Sequence, residues 1–351
     1  MTNMPRWFQR VMGNIQNNFR SRSHSHPHGS NTTSNSNTDT NFPAKLPPNG
    51  VTQKNYDYTR KRLTLLKNES ARKLDGYLCN QPPYLPKLSE QVLEKLEKLW
   101  SDYKKTKIVV KPNENCSSQE HISSNSNLTE NLTSSESSQF YFIKYLFEVI
   151  YDKSFVAIQI VRSIDHQTDI INQKDNPRLK QLNEISLVFT YINYEITAFS
   201  KDVEFRENTL TNDSQPSINL QPSPKHNYRL TKIGAQKFWE DSFEKDCLIT
   251  GWDNFYRKFI STFHDFNPNL HETMQFQQAV DITKSGFVSI YIFDVFVRLF
   301  APWKNIHKVW LTLGYDNPAF KANMTYDEAA QRIGSLDIGS FLYRMSATRR
   351  F

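Results

Sequence analysis

Apolar residues along this chain recur at steps of three and four, in blocks separated by polar stretches. That periodicity is the signature of amphipathic helices. The first block predicts a helix over Tyr58–Gly76, with Leu63, Leu66 and Leu74 facing inward. The three prolines of PPYLPKL then break the chain. A second helix is predicted from about Ser89, where Val92, Leu96, Leu99, Trp100 and Tyr103 share one stripe. A third is predicted over Gln139–Asp169, with Phe142, Leu146, Val149, Ile150, Val156 and Ile160 buried. After Pro177 a fourth is predicted over Leu179–Phe199, lined by Leu182, Ile185, Val188, Phe189, Ile192 and Ile196. Four such helices predict a bundle, because each apolar stripe needs a partner to cover it.

The polar stretches set the boundaries. Residues 21–54, 111–138 and 200–227 are rich in Ser, Asn, Thr and Pro and bury too little apolar surface to offset ordering entropy. The reading is a tail over 1–54, a bundle over 55–227 with a polar insertion at 111–138, a second helical unit over 228–315, and a last segment over 316–351. In the second unit Thr231 is expected to cap a helix holding Phe238, Trp239 and Phe243. Thr250 and Asp253 have capping-box spacing ahead of Phe255, Phe259 and Phe263. In the last segment Thr325 and Glu328 have the same spacing, and residues 340–346 alternate as a strand does.

Composition narrows the function classes. The chain has 351 residues, 38% of them apolar, and a net charge of +7. A basic balance favours anionic partners. The charge is dispersed without a long Lys/Arg block, which argues against nucleic acid. Cys79, Cys116 and Cys247 are odd in number and far apart, so neither a disulfide framework nor a zinc site is expected. Cysteine usage of this kind points to a reducing, cytoplasmic compartment. No apolar run reaches the length that spans a bilayer. At the N-terminus, Trp7, Phe8, Val11, Met12, Ile15 and Phe19 accompany four arginines, with no acid before Asp39. Peripheral contact with an anionic membrane, a marginal helix on a tail and a transit peptide are all compatible with that pattern.

Two segments carry candidate chemistry. Residues 281–292 follow the spacing of an EF-hand loop, which needs oxygen donors at positions one, three and five, glycine at six and a bidentate glutamate at twelve. Asp281, Thr283, Ser285 and Gly286 fit, and Phe287 offers a carbonyl. Position twelve is Ile292, which has no oxygen. With one carboxylate the loop is expected to bind calcium weakly or not at all. Asp294 lies two residues late and is a poor substitute. The second segment is Phe341–Ser346, where Arg344 sits in an otherwise apolar strand. Its fork of parallel donors matches a phosphate edge, and Ser346 and Thr348 place hydroxyls on the same side.

The runs PWKNIHKVW, NPAFKANMTYDEAAQRI and GSFLYRMSATR, with YRLTKIGAQKFW, GWDNFYRKF and IFDVFVRLFAPW upstream, are similar to the tyrosine-kinase-binding region of Cbl proteins. The resemblance covers about residues 55–351. It implies a mainly α fold: a four-helix bundle, an EF-hand-like helical unit, and the start of a divergent α+β Src-homology-2 domain. It places the family's phosphate-binding arginine on Arg344, its hydroxyl partners on Ser346 and Thr348, and a pocket tyrosine on Tyr326. It places the calcium ligands on Asp281, Thr283, Ser285 and Phe287. The implied partners are phosphotyrosine-containing proteins such as receptor tyrosine kinases, met after recruitment to the plasma membrane. A ubiquitin-conjugating enzyme is implied only if a RING follows in a longer form. The chain stops right after the phosphate strand, so the resemblance implies a truncated region with a lone strand and exposed edges. Its three cysteines cannot build the zinc sites of a RING. By itself it is therefore expected to recognise substrate without transferring ubiquitin. The alternatives are a stand-alone phosphotyrosine adaptor or decoy, and a helical scaffold.

Overall fold

A computed structural model describes residue 46 and residues 51–74, 85–109, 134–164, 176–212, 229–244, 246–316, 319–321, 329–330, 333–334 and 339–344. Within these the fold is mainly helical. Four long helices form the bundle: α1 (Gln53–Leu74), α2 (Leu85–Val109), α3 (Ser134–Ser163) and α4 (Pro177–Asn212). Helix α1 packs on α2 and α3, and α4 closes the ring against both. The predicted stripes line the core: Leu63, Leu66, Val92, Leu96, Phe142, Leu146, Ile150, Phe189 and Ile192 are buried. Arg62 crosses the interior, its guanidinium 3.4 Å from the Tyr151 ring centre and its Nη1 donating to the Tyr151 carbonyl at 3.1 Å. Stacking and hydrogen bonding together offset the cost of burying that cation. No described helix is long and apolar enough to cross a membrane.

The helix bounds differ from expectation for identifiable reasons. Helix α3 begins at Ser134, inside the stretch read as a polar insertion. Val156 is 44% exposed rather than buried. The true stripe runs Ile150, Ser154, Ala157, Val161, Ile164, and Val156 falls outside it. Helix α4 continues to Asn212 through residues read as linker. Val203 packs on the core there, and Asp202, Glu204 and Arg206 find partners elsewhere in the fold. Those tertiary pairs override a polar composition.

The second unit contains α5 (Ile233–Ser242), β1 (Ile249–Gly251), α6 (Trp252–Thr262), α7 (Leu270–Val280), β2 (Phe287–Ser289) and α8 (Ile290–Leu299). Strands β1 and β2 pair antiparallel, with Thr250 opposite Val288. Phe255, Phe259, Phe276 and Phe293 fill the centre; ring centroids are 5.1 Å apart for Phe255–Phe293 and 4.8 Å for Phe259–Phe276. Helix α8 packs against α4 and β1 against α3, so the unit is docked on the bundle.

Two predicted caps are reassigned. Helix α5 starts after Lys232, because the Thr231 backbone N–H and hydroxyl both donate to Asp294, at 2.7 and 2.9 Å. Helix α6 is capped by Gly251 without a side-chain bond; Thr250 lies in β1, and its hydroxyl accepts from Asn254 Nδ2 at 3.2 Å. A complete capping box occurs instead at α7, between Asn269 and Glu272.

Beyond α8 come a short 3₁₀ turn (Trp303–Asn305), α9 (Ile306–Val309) and a π-helical turn (Trp310–Tyr315). The C-terminal segment contributes β3 (Phe320–Lys321) and β4 (Tyr343–Arg344), which pair in parallel. The strand expected to stand alone therefore has a partner. Thr325 and Glu328 lie outside the described residues.

Candidate functional site

The segment expected to read phosphate is described by its backbone. In the β3–β4 pair, Tyr343 lies opposite Phe320 and Arg344 opposite Lys321. The register thus brings two basic positions to neighbouring places on one small sheet. Ahead of the strand, Gly339 adopts φ of 97°, a conformation that favours glycine, and Phe341 is 64% exposed. Tyr326, Ser346 and Thr348 lie outside the described residues. Strand β3 was missed at the sequence level, because two residues are too few for an alternating pattern to register.

The EF-hand-like loop is described in full. Helices α7 and α8 flank it, and Gly286 sits at φ of 81°, the backbone conformation the sixth position of such a loop requires. The Asp281 carboxylate gathers the loop around itself. Its Oδ1 accepts from the Ser285 N–H at 3.0 Å and from the Thr283 and Ser285 hydroxyls, both at 3.1 Å. Its Oδ2 accepts from the Gly286 N–H at 2.8 Å. Phe287 opens β2, where its ring packs edge-on against Tyr145.

Ile292 decides the fit to a metal. It is 2% exposed and packs with Tyr191, Ile282 and Val295 in a separate apolar cluster. The position that should deliver a bidentate carboxylate is thus a built piece of core. Asp294 is turned elsewhere, toward Thr231 and Arg298, with Arg298 Nε 3.1 Å from its Oδ2. One carboxylate, two hydroxyls and a carbonyl do not match the charge and coordination number that a hard divalent cation demands. Among the described residues no cluster of three metal-ligating side chains occurs.

The bundle also presses polar groups against this loop. The Tyr145 hydroxyl, from α3, lies 3.2 Å from Thr283 Oγ1 and 3.4 Å from Glu195 Oε2, on α4. Glu195 is fully buried. Burial pushes its carboxyl up to about 8; the Ser289 and Tyr145 hydroxyls oppose the rise, and the negative charge of Asp281 adds to it. Burial likewise pushes the Tyr145 phenol well above its ordinary value. Sequence reasoning passed over both residues. The signal was present: Glu195 is the lone charged residue between Leu187 and Phe199, on a helix whose stripe is otherwise core.

A second set of polar bonds fixes how the two units meet. Asp202 on α4 accepts from Arg229 Nε at 2.8 Å and from the Tyr291 hydroxyl at 3.2 Å. Arg229 also donates to the Asp246 carbonyl at 3.1 Å, while Arg206 Nη2 reaches the Asp246 carboxylate at 3.0 Å. Arg298 Nη2 donates to the Tyr194 hydroxyl at 2.9 Å. These charges are largely desolvated and fully paired, which makes their geometry exacting.

Comparison with known proteins agrees with this architecture. Residues 228–314 match the family described as CBL proto-oncogene N-terminus, EF hand-like domain. The human E3 ubiquitin-protein ligase CBL-C is 31% identical over 175 residues, which is 48% of this chain and 32% of that protein. The rat protein of the same name is 30% identical over 173 residues, 48% of this chain and 30% of that one. The chain thus spans about a third of the length of these relatives. A solved structure titled "Inactive choanoflagellate E3 ubiquitin ligase Cbl TKB" superposes with a TM-score of 0.57 at 21% identity, over 87% of this chain and 77% of that one. At that identity the likeness is one of fold.

Proposed function

We propose that this chain, which carries a Cbl-type N-terminal region, recognises phosphotyrosine on activated tyrosine kinases as the substrate-binding part of a ubiquitin ligase. The observation that supports it most directly is Arg344 in the run FLYRMSAT, on a strand whose backbone pairs with β3. An arginine fork binds two phosphate oxygens at once, and a phosphate on a tyrosine ring is presented far enough from its backbone to be reached this way. Ser346, Thr348 and Tyr326 complete the proposed pocket, and Lys321 adds positive charge at the paired position. The bundle and the EF-hand-like unit act as the rigid block on which the pocket is carried. Binding takes place at the cytoplasmic face of the plasma membrane, where phosphorylated receptors are found.

The transfer of ubiquitin belongs, in this proposal, to a RING in a longer product and to the conjugating enzyme it recruits. The stand-alone alternative is an adaptor or decoy that occupies the same phosphotyrosine without modifying its bearer. Transcript sequence that continues into paired cysteines selects the first; a stop codon at this position selects the second. The binding step itself is tested by fluorescence anisotropy, using one receptor-derived peptide with and without phosphate on its tyrosine. Binding restricted to the phosphorylated form supports the proposal. Equal signals, or none from either peptide, would remove it.

A further inference from the structure

The loop at 281–286 is gathered like a calcium loop but lacks the charge to hold calcium, so something else must balance and brace it. Three facts bear on what does. The Asp281 carboxylate accepts four hydrogen bonds from its own loop, one of them from the Thr283 hydroxyl. Thr283 Oγ1 is 3.2 Å from the Tyr145 hydroxyl. That hydroxyl is 3.4 Å from Glu195 Oε2, and Glu195 Oε1 has no hydrogen-bond partner of normal geometry among the described residues. All four side chains are buried, away from bulk solvent.

Each hydroxyl has one proton to give. Thr283 gives its proton to Asp281 at 3.1 Å or to Ser285 Oγ at 2.9 Å, and Ser285 passes its own to Asp281, so in either arrangement a Thr283 lone pair faces Tyr145 and accepts from the phenol. Tyr145 has then spent its proton, and its oxygen is left needing a donor. The Ser285 hydroxyl also lies near the phenol but gives its proton to Asp281 at 3.1 Å, which leaves the carboxyl of Glu195, a donor only when protonated. An ionised Glu195 would instead claim the phenol proton, reverse the chain and place a second anion beside Asp281 in the buried interior.

We propose that Glu195 is a carboxylic acid in the folded protein and starts a one-way hydrogen-bond chain, Glu195 to Tyr145 to Thr283 to Asp281, that takes the place of the loop's metal. The bundle, through α3 and α4, thereby clamps the EF-hand-like unit in a calcium-independent way. Aligned hydroxyls polarise one another, so the last donor meets the Asp281 anion more strongly than an isolated hydroxyl does. The proton on Glu195 removes the repulsion that two buried carboxylates would otherwise feel.

Infrared difference spectroscopy on the whole chain tests this, subtracting Glu195→Gln from wild type at neutral pH. A protonated carboxyl gives a carbonyl band well separated from carboxylate bands, and the difference spectrum is expected to contain it. In Tyr145→Phe, which keeps the ring, that band is expected to shift, because the acid has lost its acceptor. A carboxylate band in the wild type overturns the proposal. So does an acid band that Tyr145→Phe leaves in place, since the acid then serves some other contact. Should Tyr145→Phe fail to fold, the wild type alone still decides. Calcium is expected to leave the wild-type thermal midpoint unchanged from that in chelator, and a calcium-dependent rise would show that a metal, and not the chain, braces the loop.

Discussion

Replacing Glu195 with glutamine exchanges an acid for an amide of the same shape, and its consequence for stability depends on pH in a way that can be worked out. The Glu195 carboxyl has an ordinary value of 4.5 when exposed and rises to about 8 in the fold, chiefly through burial. Below 4.5 both states hold the proton and the group contributes no pH dependence. Between 4.5 and about 8 the unfolded chain releases the proton while the folded chain keeps it. The folded state then binds more protons, so stability falls as pH rises. Each tenfold difference in proton affinity between the folded and unfolded chain is worth about 1.4 kcal/mol, which makes the loss between pH 5 and pH 8 roughly 3–4 kcal/mol. The groups facing Glu195 are Asp281 and the buried phenols of Tyr145, Tyr194 and Tyr291. Burial raises all three phenols, so they stay neutral across this window. Glutamine keeps a donor for Tyr145 and carries no charge at any pH. Urea denaturation of both proteins from pH 5 to pH 8 should therefore show near-equal stability at the acid end. The glutamine variant should gain by about 3–4 kcal/mol at the alkaline end. A stability difference that stays flat across this range would refute the reasoning, because it would mean Glu195 titrates normally in the fold.

Two other perturbations probe the framework. Arg229→Ala removes one of the two cations that Asp202 and Asp246 share at the junction, Arg206 being the other; a loss of about 1.5–3 kcal/mol is expected in urea unfolding, above that of exposed Arg60→Ala. Gly314→Ala would place a methyl group 2.2 Å from the Trp310 ring in the π-helical turn; it should cost about 1–3 kcal/mol and quench or shift the tryptophan emission as that ring is displaced.

How much of this was legible in the sequence depended on how local the cause was. The bundle stripes were readable because a helix imposes its period on side chains it buries itself, as Leu63, Val92 and Ile192 show. Val156 was misjudged because an apolar residue one step off the stripe looks the same in sequence. The end of α4 was misjudged because Asp202 and Arg206 gain their partners from Arg229 and Asp246, beyond the next linker. Thr250 had the chemistry of a cap, but pairing with β2, a strand nearly 40 residues on, places it within β1, where its hydroxyl meets the Asn254 side chain. The oxygen-bearing loop positions Asp281, Thr283 and Ser285 were recognisable from spacing, and Ile292 was visible as the misfit. The groups that brace that loop were not, since Tyr145 and Glu195 reach it only after two distant helices have docked. In the segment proposed to read phosphate, Arg344 was singled out by its chemistry within an apolar strand and by the family resemblance, whereas its neighbour β3 was too short to see.

The central claim rests on the Arg344 guanidinium, and calorimetric titration of a phosphotyrosine peptide into wild type and Arg344→Ala addresses it most directly. Wild type should bind and the variant should lose at least about 1.5–3 kcal/mol, the worth of a charge-assisted contact, with its folded stability unchanged. Matching affinities for the two proteins would contradict the account.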